Sequence, residues 1–274
     1  MSTSALERLR SRLAAEPGLV VAFSGGADSA LLAWAAHQVL GERALAVTAV
    51  SASLPAAERS AAQAFARAHA IPHVEVCTDE LQSPEYAANG ADRCYHCKSA
   101  LFDALDPLAR LMRVRVALGT NLDDLSDYRP GQQAAGERGA ICPMVDAGLT
   151  KDDVRDASRA VGLDTADKPA AACLASRVAY GDPVTPELLA RIEAAERSLH
   201  RGGFAGCRVR AHAGGTLARI ELPGDQIAAA IGLRETIDGQ MRAAGFTFST
   251  IDLAGYRSGS MNSLLQIRPA GGRP

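Results

Sequence analysis

The sequence predicts an α/β protein, with a doubly wound parallel β-sheet followed by a small α+β domain. Short apolar runs alternate with amphipathic helical segments between residues 19 and 161. Strands of a parallel sheet are buried on both faces, so they read as continuous apolar runs, and helices form the crossovers. Beyond about residue 180 the order becomes helix, strand, strand, helix, strand, which predicts domains at residues 1–180 and 181–274.

The first predicted domain begins with a short amphipathic helix and continues as strand–helix repeats. In the helix after the first strand, Leu31, Leu32, Ala35 and Val39 are spaced to lie on one face. Strands are predicted at residues 19–23, 44–51, 73–77 and 114–118, and helices at residues 29–40, 55–70, 96–112 and 151–161.

The second predicted domain combines helices with a hairpin. Thr185 followed by Pro186 is typical of a helix start, and Gly214-Gly215 between two strand patterns predicts a hairpin turn. The tail after Gly255 is expected to be poorly ordered. The predicted elements are helices at residues 186–201 and 225–244 and strands at residues 207–213, 216–222 and 247–252.

The composition is that of a soluble globular protein, since 47% of the 274 residues are hydrophobic and 22% are charged. A net charge of −2 gives no basic field for nucleic acid. The N-terminus does not read as a signal peptide, and no apolar run approaches the ~18 residues of a membrane span. We therefore expect a cytoplasmic protein whose six cysteines are reduced, bound to metal or catalytic, rather than paired in structural disulfides.

A glycine-rich hexapeptide, SGGADS, begins at Ser24 between a buried strand and a helix. Gly25 and Gly26 permit a tight turn close to a ligand, and backbone N–H groups at the helix start form an anion site. Ser24 and Ser29 add hydroxyl donors, and Asp28 is a candidate ligand for Mg²⁺. The pattern is neither a Walker A motif nor a dinucleotide fingerprint. The alternative is a strand–helix turn that binds nothing.

Two further segments are candidates for the same site. Gly119-Thr120 follows a predicted strand, where ligands bind in open α/β sheets. Lys151 begins a predicted helix and is one of three lysines in the chain, the others being Lys98 and Lys168. Contact with a nucleotide phosphate and a solvated helix start both explain Lys151.

The cysteines suggest sulfur or metal chemistry. Cys94 and Cys97 form a CxxC pair at a predicted helix start, which suits a redox pair or half of a zinc site. Cys77 and Cys207 lie at strand ends and are expected to be packed, whereas Cys142 is ambiguous.

Cys173 differs from the other cysteines because it lies in an irregular segment of small residues between Lys168 and Arg177. Neighbouring cations make a thiol more reactive, and small neighbours leave the sulfur accessible. Cys173 is therefore a candidate catalytic residue.

The hexapeptide resembles the PP-loop, SGGxDS, of ATP pyrophosphatases, which bind the pyrophosphate end of ATP and split it between the α- and β-phosphates. Over about residues 5–255 the chain is similar to the LarE family of ATP-dependent sulfur transferases, which help to build the nickel-pincer nucleotide cofactor of lactate racemase. Besides SGGADS, the matching motifs are RCYHCKSALF at 93–102, GTNLDDLSDYRPG at 119–131, AGLTKDDVR at 147–155, KPAAACLASR at 168–177 and RVRAH at 208–212. Ala179 departs from the proline of many relatives.

The resemblance implies that a carboxylate of pyridinium-3,5-biscarboxylic acid mononucleotide is adenylated, with release of pyrophosphate, and converted to a thiocarboxylate. Family members take the sulfur either from one cysteine, which matches Cys173, or from a [4Fe–4S] cluster held by three cysteines. Because Cys94, Cys97 and Cys173 all match, the cluster type is favoured.

The resemblance also implies residues that bind the substrate. Arg208 and Arg210, two apart on a strand, share one face and suit a nucleotide phosphate. Tyr128-Arg129 and Ser176-Arg177 are further candidates of lower rank. A homo-oligomer is expected, together with upstream and downstream enzymes of nickel-pincer cofactor synthesis.

Three other functions fit less well. A tRNA-thiolating PP-loop enzyme should carry a strongly basic face or an added RNA-binding domain, and the net charge of −2 disfavours it. An amide-forming synthetase needs an ammonia source, which nothing in the chain resembles. A non-catalytic nucleotide-binding regulatory protein would not need Asp28 beside a reactive cysteine, and substrate-dependent turnover of ATP to AMP would exclude it.

Overall fold

The computed structural model describes residues 4–126, 130–169, 172–257 and 259–261. The contacts between Cα atoms divide the chain into two compact units. The first comprises Met1–Glu80 and Cys94–Ala172, and the second comprises Leu81–Arg93 and Cys173–Pro274. The chain therefore changes unit after residues 80, 93 and 172, whereas the sequence predicts one boundary after residue 180. The candidate pair Tyr128-Arg129 lies outside the described residues.

Most elements of the first unit have nearly the predicted bounds. Helix α1 has a capping box in which Ser4 and Glu7 exchange hydrogen bonds. The elements are α1 Ala5–Ala14, β1 Leu19–Ala22, α2 Ala27–Leu40, β2 Ala44–Val50, α3 Ala56–Ala68, β3 His73–Cys77, α4 Pro84–Ala87 (in the second unit), α5 Arg93–Met112, β4 Arg115–Ala117, α6 Pro130–Glu137, α7 Pro143–Asp146 and α8 Lys151–Ala160.

The sheet of the first unit is parallel and has the strand order β3-β2-β1-β4. Leu19 of β1 lies opposite Ala44 of β2 on one side and Arg115 of β4 on the other. The chain proceeds outward from β1 through β2 to β3 and returns to add β4 beside β1. The switch point of the topology therefore lies between the carboxyl ends of β1 and β4, where open α/β sheets bind ligands.

Helices cover both faces of this sheet. Leu19 and Val21 of β1 pack in one core cluster, which includes residues of α1, α2, α3 and α8. Val20, between them, packs in a second cluster that includes Phe102 and Leu105 of α5. Alternate residues of one strand thus reach opposite faces, which confirms the doubly wound arrangement.

The second unit contains a three-stranded sheet in the order β5-β6-β7, in which β5 and β6 are antiparallel and β6 and β7 are parallel. The predicted hairpin is confirmed, with both Gly214 and Gly215 at positive φ. The elements are α9 Pro186–Arg201, β5 Arg208–His212, β6 Leu217–Glu221, α10 Ile227–Gly232, α11 Arg234–Ala243 and β7 Phe248–Ile251.

The single helix predicted at residues 225–244 is wrong. A 3₁₀ turn at Gly224–Gln226 precedes α10, and the helix breaks at Leu233, where φ is −107° and ψ is 20°. The N–H group of Leu233 points at two carbonyl groups, those of Ala229 and Ala230. Gly232 directly before the break has low helix propensity, which helps to explain why the helix stops.

The tail after Gly255, predicted to be poorly ordered, makes contacts with the second unit where it is described, and its order stays a prediction. The N–H of Tyr256 donates to the carbonyl oxygen of Leu222, and the hydroxyl of Ser260 lies 2.5 Å from Glu221 Oε1. Met261 is buried. Residue 258 and residues 262–274 lie outside the described part.

Residues 81–93 belong to the second unit because a buried asparagine binds a distant segment. Asn89 is fully buried, and its Nδ2 donates to the carbonyl oxygens of Ala179 at 2.8 Å and Asp182 at 2.9 Å. The N–H of Val184 donates in turn to the carbonyl oxygen of Ala87. In the part of the chain that the structure describes, no helix combines the length and apolarity that a membrane span needs.

Candidate functional site

The predicted phosphate loop, SGGADS at residues 24–29, leads into an open helix N-terminus at the predicted position. Gly25 has φ +72°, a conformation that favours glycine, and a Cβ atom there would lie 3.0 Å from Ala62 Cβ. Gly26 is the N-cap of α2 and makes no side-chain capping hydrogen bond. The first N–H groups of α2 have no intrahelical acceptor, so they are available to an anion at the switch point of the sheet.

The two serine hydroxyls of the loop form hydrogen bonds that stabilise its turn. Ser29 is buried, and its Oγ lies 3.0 Å from Ser24 Oγ and 3.1 Å from the carbonyl oxygen of Gly26, to which it donates. The backbone N–H of Ser24 also donates to Ser29 Oγ. Ser29 therefore holds the turn from the inside, while Ser24 is exposed.

Asp28 has one carboxylate oxygen held by a buried asparagine. Asn121 Nδ2 donates to Asp28 Oδ1 at 2.9 Å. Asn121 Oδ1 accepts the N–H groups of Asp123 and Asp124, which fixes the orientation of the amide. With Asn121 only 1% exposed, this network holds Asp28 through Oδ1, and a carboxylate held in this way is a candidate ligand for a cation.

Gly119 is required by packing. A Cβ atom at this position would lie 2.9 Å from the backbone nitrogen and from the Cα atom of Ser29. The turn after β4 therefore lies directly against the start of α2. The absence of a side chain at Gly119 allows the two carboxyl strand ends to form one site.

Thr120 and Lys151, both predicted to contact the nucleotide, form hydrogen bonds within the protein. Burial raises the pKa of the Cys142 thiol, and a hydrogen bond with the Thr120 side chain partly opposes this effect. The backbone N–H of Lys151 donates to Asp123 Oδ2 at 2.7 Å, and its side chain is exposed. A phosphate role for either residue stays a prediction.

Cys94 and Cys97 lie three residues apart in the first turn of α5, so their side chains share one side of the helix. Cys94 is exposed and Cys97 is partly exposed. Two thiols on one side of a helix are suitable iron ligands. The third predicted ligand, Cys173, belongs to the second unit. Among the described residues, no group of three His, Cys, Asp or Glu side chains could hold a metal ion.

The expectation that both strand-end cysteines are packed holds for only one of them. Cys207 is fully buried, and burial raises the pKa of its thiol to about 12. The prediction is wrong for Cys77, which is exposed. Cys77 ends β3, which is an edge strand and has a neighbouring strand, β2, along one edge only.

Cys173 is anchored by its backbone while its side chain stays partly exposed. It precedes a 3₁₀ turn at Leu174–Arg177. Its carbonyl oxygen accepts from the Ser176 hydroxyl at 2.7 Å and from Arg177 Nη1 at 3.0 Å. Arg177 is buried and pairs with the buried Glu196, with 3.1 Å between Nε and Oε1. Ser176 and Arg177 therefore fix the position of the cysteine.

The two arginines of β5 share a face, as predicted, but differ in surroundings. Arg210 is buried and pairs with Glu221, which is fully buried, at 2.7 Å between Nη2 and Oε2. Arg210 Nη1 also donates to the carbonyl oxygen of Ser176. Arg208 is partly exposed, with its guanidinium 5.4 Å from the centre of the Tyr256 ring.

The residues that pair with Arg177 and Arg210, and the residue that orients Asp28, were not predicted from the sequence. Glu196 and Glu221 neutralise buried arginines, and Asn121 orients Asp28. The asparagine follows Gly119-Thr120 directly, so its place at a strand end was a usable signal. The sequence contains no signal for the roles of Glu196 and Glu221, because each pairing depends on how distant segments pack.

The sheet order, the loop at the switch point and the glycine that closes against it are those of an α/β protein with a PP-loop-type fold. No family model matches the chain. Over 249 residues it is 34% identical to pyridinium-3,5-bisthiocarboxylic acid mononucleotide synthase from Lactiplantibacillus plantarum, and the match covers 90% of each protein. The chain belongs to the LarE family.

Two uncharacterized proteins are also similar. One, from Synechocystis sp., is 44% identical over 269 residues, which cover 97% of this chain and 99% of that protein. The other, from Methanocaldococcus jannaschii, is 27% identical over 241 residues, which cover 88% of this chain and 91% of that protein. These matches extend over both compact units.

Proposed function

We propose that this protein is an ATP-dependent sulfur transferase. It would convert a carboxylate of pyridinium-3,5-biscarboxylic acid mononucleotide to a thiocarboxylate and release AMP and pyrophosphate. The observation that carries the proposal is the open N-terminus of α2, with Asp28 in its first turn, at the switch point of the sheet. The L. plantarum relative is named as a synthase of the bisthiocarboxylic acid, which is the product expected when both carboxylates react.

The first half-reaction is adenylation of the substrate. A carboxylate oxygen attacks the α-phosphorus of ATP, the bond from that phosphorus to the bridging oxygen breaks, and pyrophosphate leaves. The N–H groups at the start of α2 and the exposed hydroxyl of Ser24 would bind the leaving group. Asp28 would bind the Mg²⁺ that accompanies the triphosphate, with Asn121 orienting its carboxylate.

The second half-reaction replaces oxygen by sulfur. The acyl adenylate has AMP as a good leaving group, so a sulfur nucleophile adds to the carboxyl carbon and AMP departs with one of the original carboxylate oxygens. Arg208 is the better exposed arginine of β5 for the substrate phosphate. Arg210 and Arg177 are paired with buried glutamates, so a role for them includes shaping the site.

Two sources of sulfur are compatible with the cysteines. A [4Fe–4S] cluster held by Cys94, Cys97 and Cys173 would supply a sulfide at its fourth iron. Alternatively, the thiolate of Cys173 would displace AMP to form a thioester. Loss of the Cα proton and cleavage of the Cβ–sulfur bond would then release the thiocarboxylate and leave dehydroalanine at residue 173. The presence of all three cysteines supports the cluster, and the partly exposed thiol of Cys173 suits either source. Assembly as a homo-oligomer and action between other enzymes of nickel-pincer cofactor synthesis remain expectations.

The proposal is tested by measuring AMP and pyrophosphate formed from ATP with and without the pyridinium biscarboxylate. Formation that depends on the carboxylate is expected in wild-type protein and is expected to fall at least about a hundredfold in Asp28→Asn, which loses a charged ligand for the metal. Asp152→Asn is the matched control, since Asp152 is also a first-turn acid, at the exposed start of α8. Release of ADP and phosphate, or equal loss in both variants, would argue against the proposal.

The sulfur source is tested by iron and acid-labile sulfide in anaerobically purified protein. About four irons per chain, lost in Cys94→Ala, Cys97→Ala and Cys173→Ala but retained in Cys77→Ala, would support the cluster. Protein without iron that loses the sulfur of Cys173 after one turnover would support the sacrificial cysteine instead.

A further inference from the structure

Lys168 lies against the phosphate loop although its own segment follows no helical or strand periodicity. Its Nζ donates to the carbonyl oxygen of Gly25 at 2.8 Å. Gly25 is the loop residue with φ +72°, and it sits directly before the open N-cap of α2. A full positive charge is therefore held at the edge of a site whose N–H groups bind anions.

The same ammonium group has a carboxylate neighbour that is weakly held. Glu58, in the first turn of α3, has Oε2 at 2.7 Å from Lys168 Nζ. Glu58 Oε2 is buried and has no partner with hydrogen-bond geometry among the described residues, so the contact is one of charge alone. Side-chain exposures of 20% for Lys168 and 24% for Glu58 leave the pair within reach of solvent and of a ligand.

We propose that Lys168 binds the pyrophosphate portion of ATP and that Glu58 is the counter-ion which it leaves when ATP binds. The inference rests on the proposed function, because it assigns a further residue to the same ATP site. An ammonium ion has three donors, and one of them goes to the carbonyl oxygen of Gly25. The other two would go to phosphate oxygens once the ion pair with Glu58 is broken.

The charges of the loop favour this assignment. The loop itself offers N–H groups, hydroxyl groups and the negative charge of Asp28, so it has only partial positive charge of its own. The leaving pyrophosphate gains negative charge as the α–β bond breaks. A cation beside Gly25 would stabilise that charge, while Glu58 neutralises the cation in the absence of nucleotide.

A purely structural role for Lys168 predicts a different pattern. If Lys168 only fastens the loop through Gly25, then loss of Glu58 removes a supporting contact and should weaken nucleotide binding. If Lys168 binds phosphate, loss of Glu58 releases the ammonium ion and should strengthen binding. The variants Lys168→Gln and Glu58→Gln therefore have effects of the same sign in one case and of opposite sign in the other.

The experiment is calorimetric titration of the full-length protein with MgATP, with inorganic pyrophosphate and with AMP, all without the carboxylate substrate. We expect Lys168→Gln to weaken MgATP and pyrophosphate binding by about tenfold to a hundredfold and to leave AMP binding unchanged. Glu58→Gln should strengthen MgATP binding by about two- to fivefold. Lys168→Arg, which keeps the charge, should recover part of the affinity.

Arg138→Gln is the matched control, because it removes an exposed positive charge that pairs with Asp103 and Asp106 in the same unit. It should leave all three affinities unchanged. Weaker MgATP binding in Glu58→Gln, equal loss of AMP and ATP binding in Lys168→Gln, or wild-type affinities in Lys168→Gln would each overturn the role of Lys168 while the ATP site itself stands. Wild-type protein that binds neither ATP nor pyrophosphate would overturn the proposed function as well.

Discussion

Replacing Gly119 by alanine tests the close packing that positions the phosphate loop. A Cβ atom at residue 119 would lie 2.9 Å from the nitrogen and the Cα atom of Ser29 and 3.2 Å from the carbonyl carbon of Asp28. Carbon atoms pack best ~3.5–4.0 Å apart, so the turn after β4 and the start of α2 would have to separate by about half an ångström or more. The neighbours are backbone atoms, which no change of rotamer can move away. We expect a loss of about 1–3 kcal/mol in the free energy of unfolding and weaker binding of MgATP.

The matched control for this prediction is Gly136→Ala. Gly136 lies within α6, and a Cβ atom there would meet nothing within 4 Å. Alanine is the better helix former, so this variant should gain about 0.5–1 kcal/mol and bind MgATP like the wild type. Urea unfolding and nucleotide titration of both variants provide the assay. A Gly119→Ala protein with the stability and affinity of the wild type would refute the packing argument.

Three other predictions concern stability and thiol chemistry. Alkylation at about pH 8, followed by mass spectrometry, should modify Cys77 in the folded protein and spare Cys207, whose thiol is buried and has a pKa raised to about 12. Modification of Cys207 before Cys77 would contradict the burial of Cys207. Arg177→Ala should lower the free energy of unfolding by about 3–5 kcal/mol because it leaves Glu196 buried without its partner, and a loss under about 1 kcal/mol would mean that the pair is dispensable. Hydrogen bonds from Arg59 of α3 lower the pKa of Glu75 from 4.5 to about 2. The ionised Glu75 therefore stabilises the fold fully above pH 4.5, and this contribution is lost as the pH falls toward 2. A stability difference between wild type and Glu75→Gln that does not change with pH would contradict this.

Local sequence patterns were enough to predict most of the fold. Strand His73–Cys77 and helix Pro186–Arg201 have the predicted bounds, because an apolar run and a Thr-Pro helix start are local signals. The loop at Ser24 lies at the switch point as expected, since the order of strands and helices along the chain favours few topologies. The break at Leu233 was missed because a glycine within a helical pattern only lowers propensity.

What the sequence did not reveal depends on contacts between distant segments. Asn89 joins residues 81–93 to the second unit through carbonyl groups about 90 positions away, and no composition change marks that boundary. The sequence alone presents Arg210 as part of a solvated basic strand face. The register of β5 and β6 pairs Arg208 with Glu221, which lets Arg210 form its ion pair with Glu221 diagonally. The contact of Lys168 with Gly25 spans 143 positions in the chain, so only the scarcity of lysine hinted at it.

The central claim, adenylation followed by sulfur transfer, is tested most directly by following oxygen from the substrate carboxylate. The pyridinium biscarboxylate is labelled with heavy oxygen in its carboxylates and incubated with the protein, MgATP and, where the protein carries a cluster, sulfide. We expect each thiocarboxylate formed to be matched by one AMP that carries one labelled oxygen, because the acyl–oxygen bond breaks when AMP leaves. AMP without label, or label in inorganic phosphate beside ADP, would contradict it.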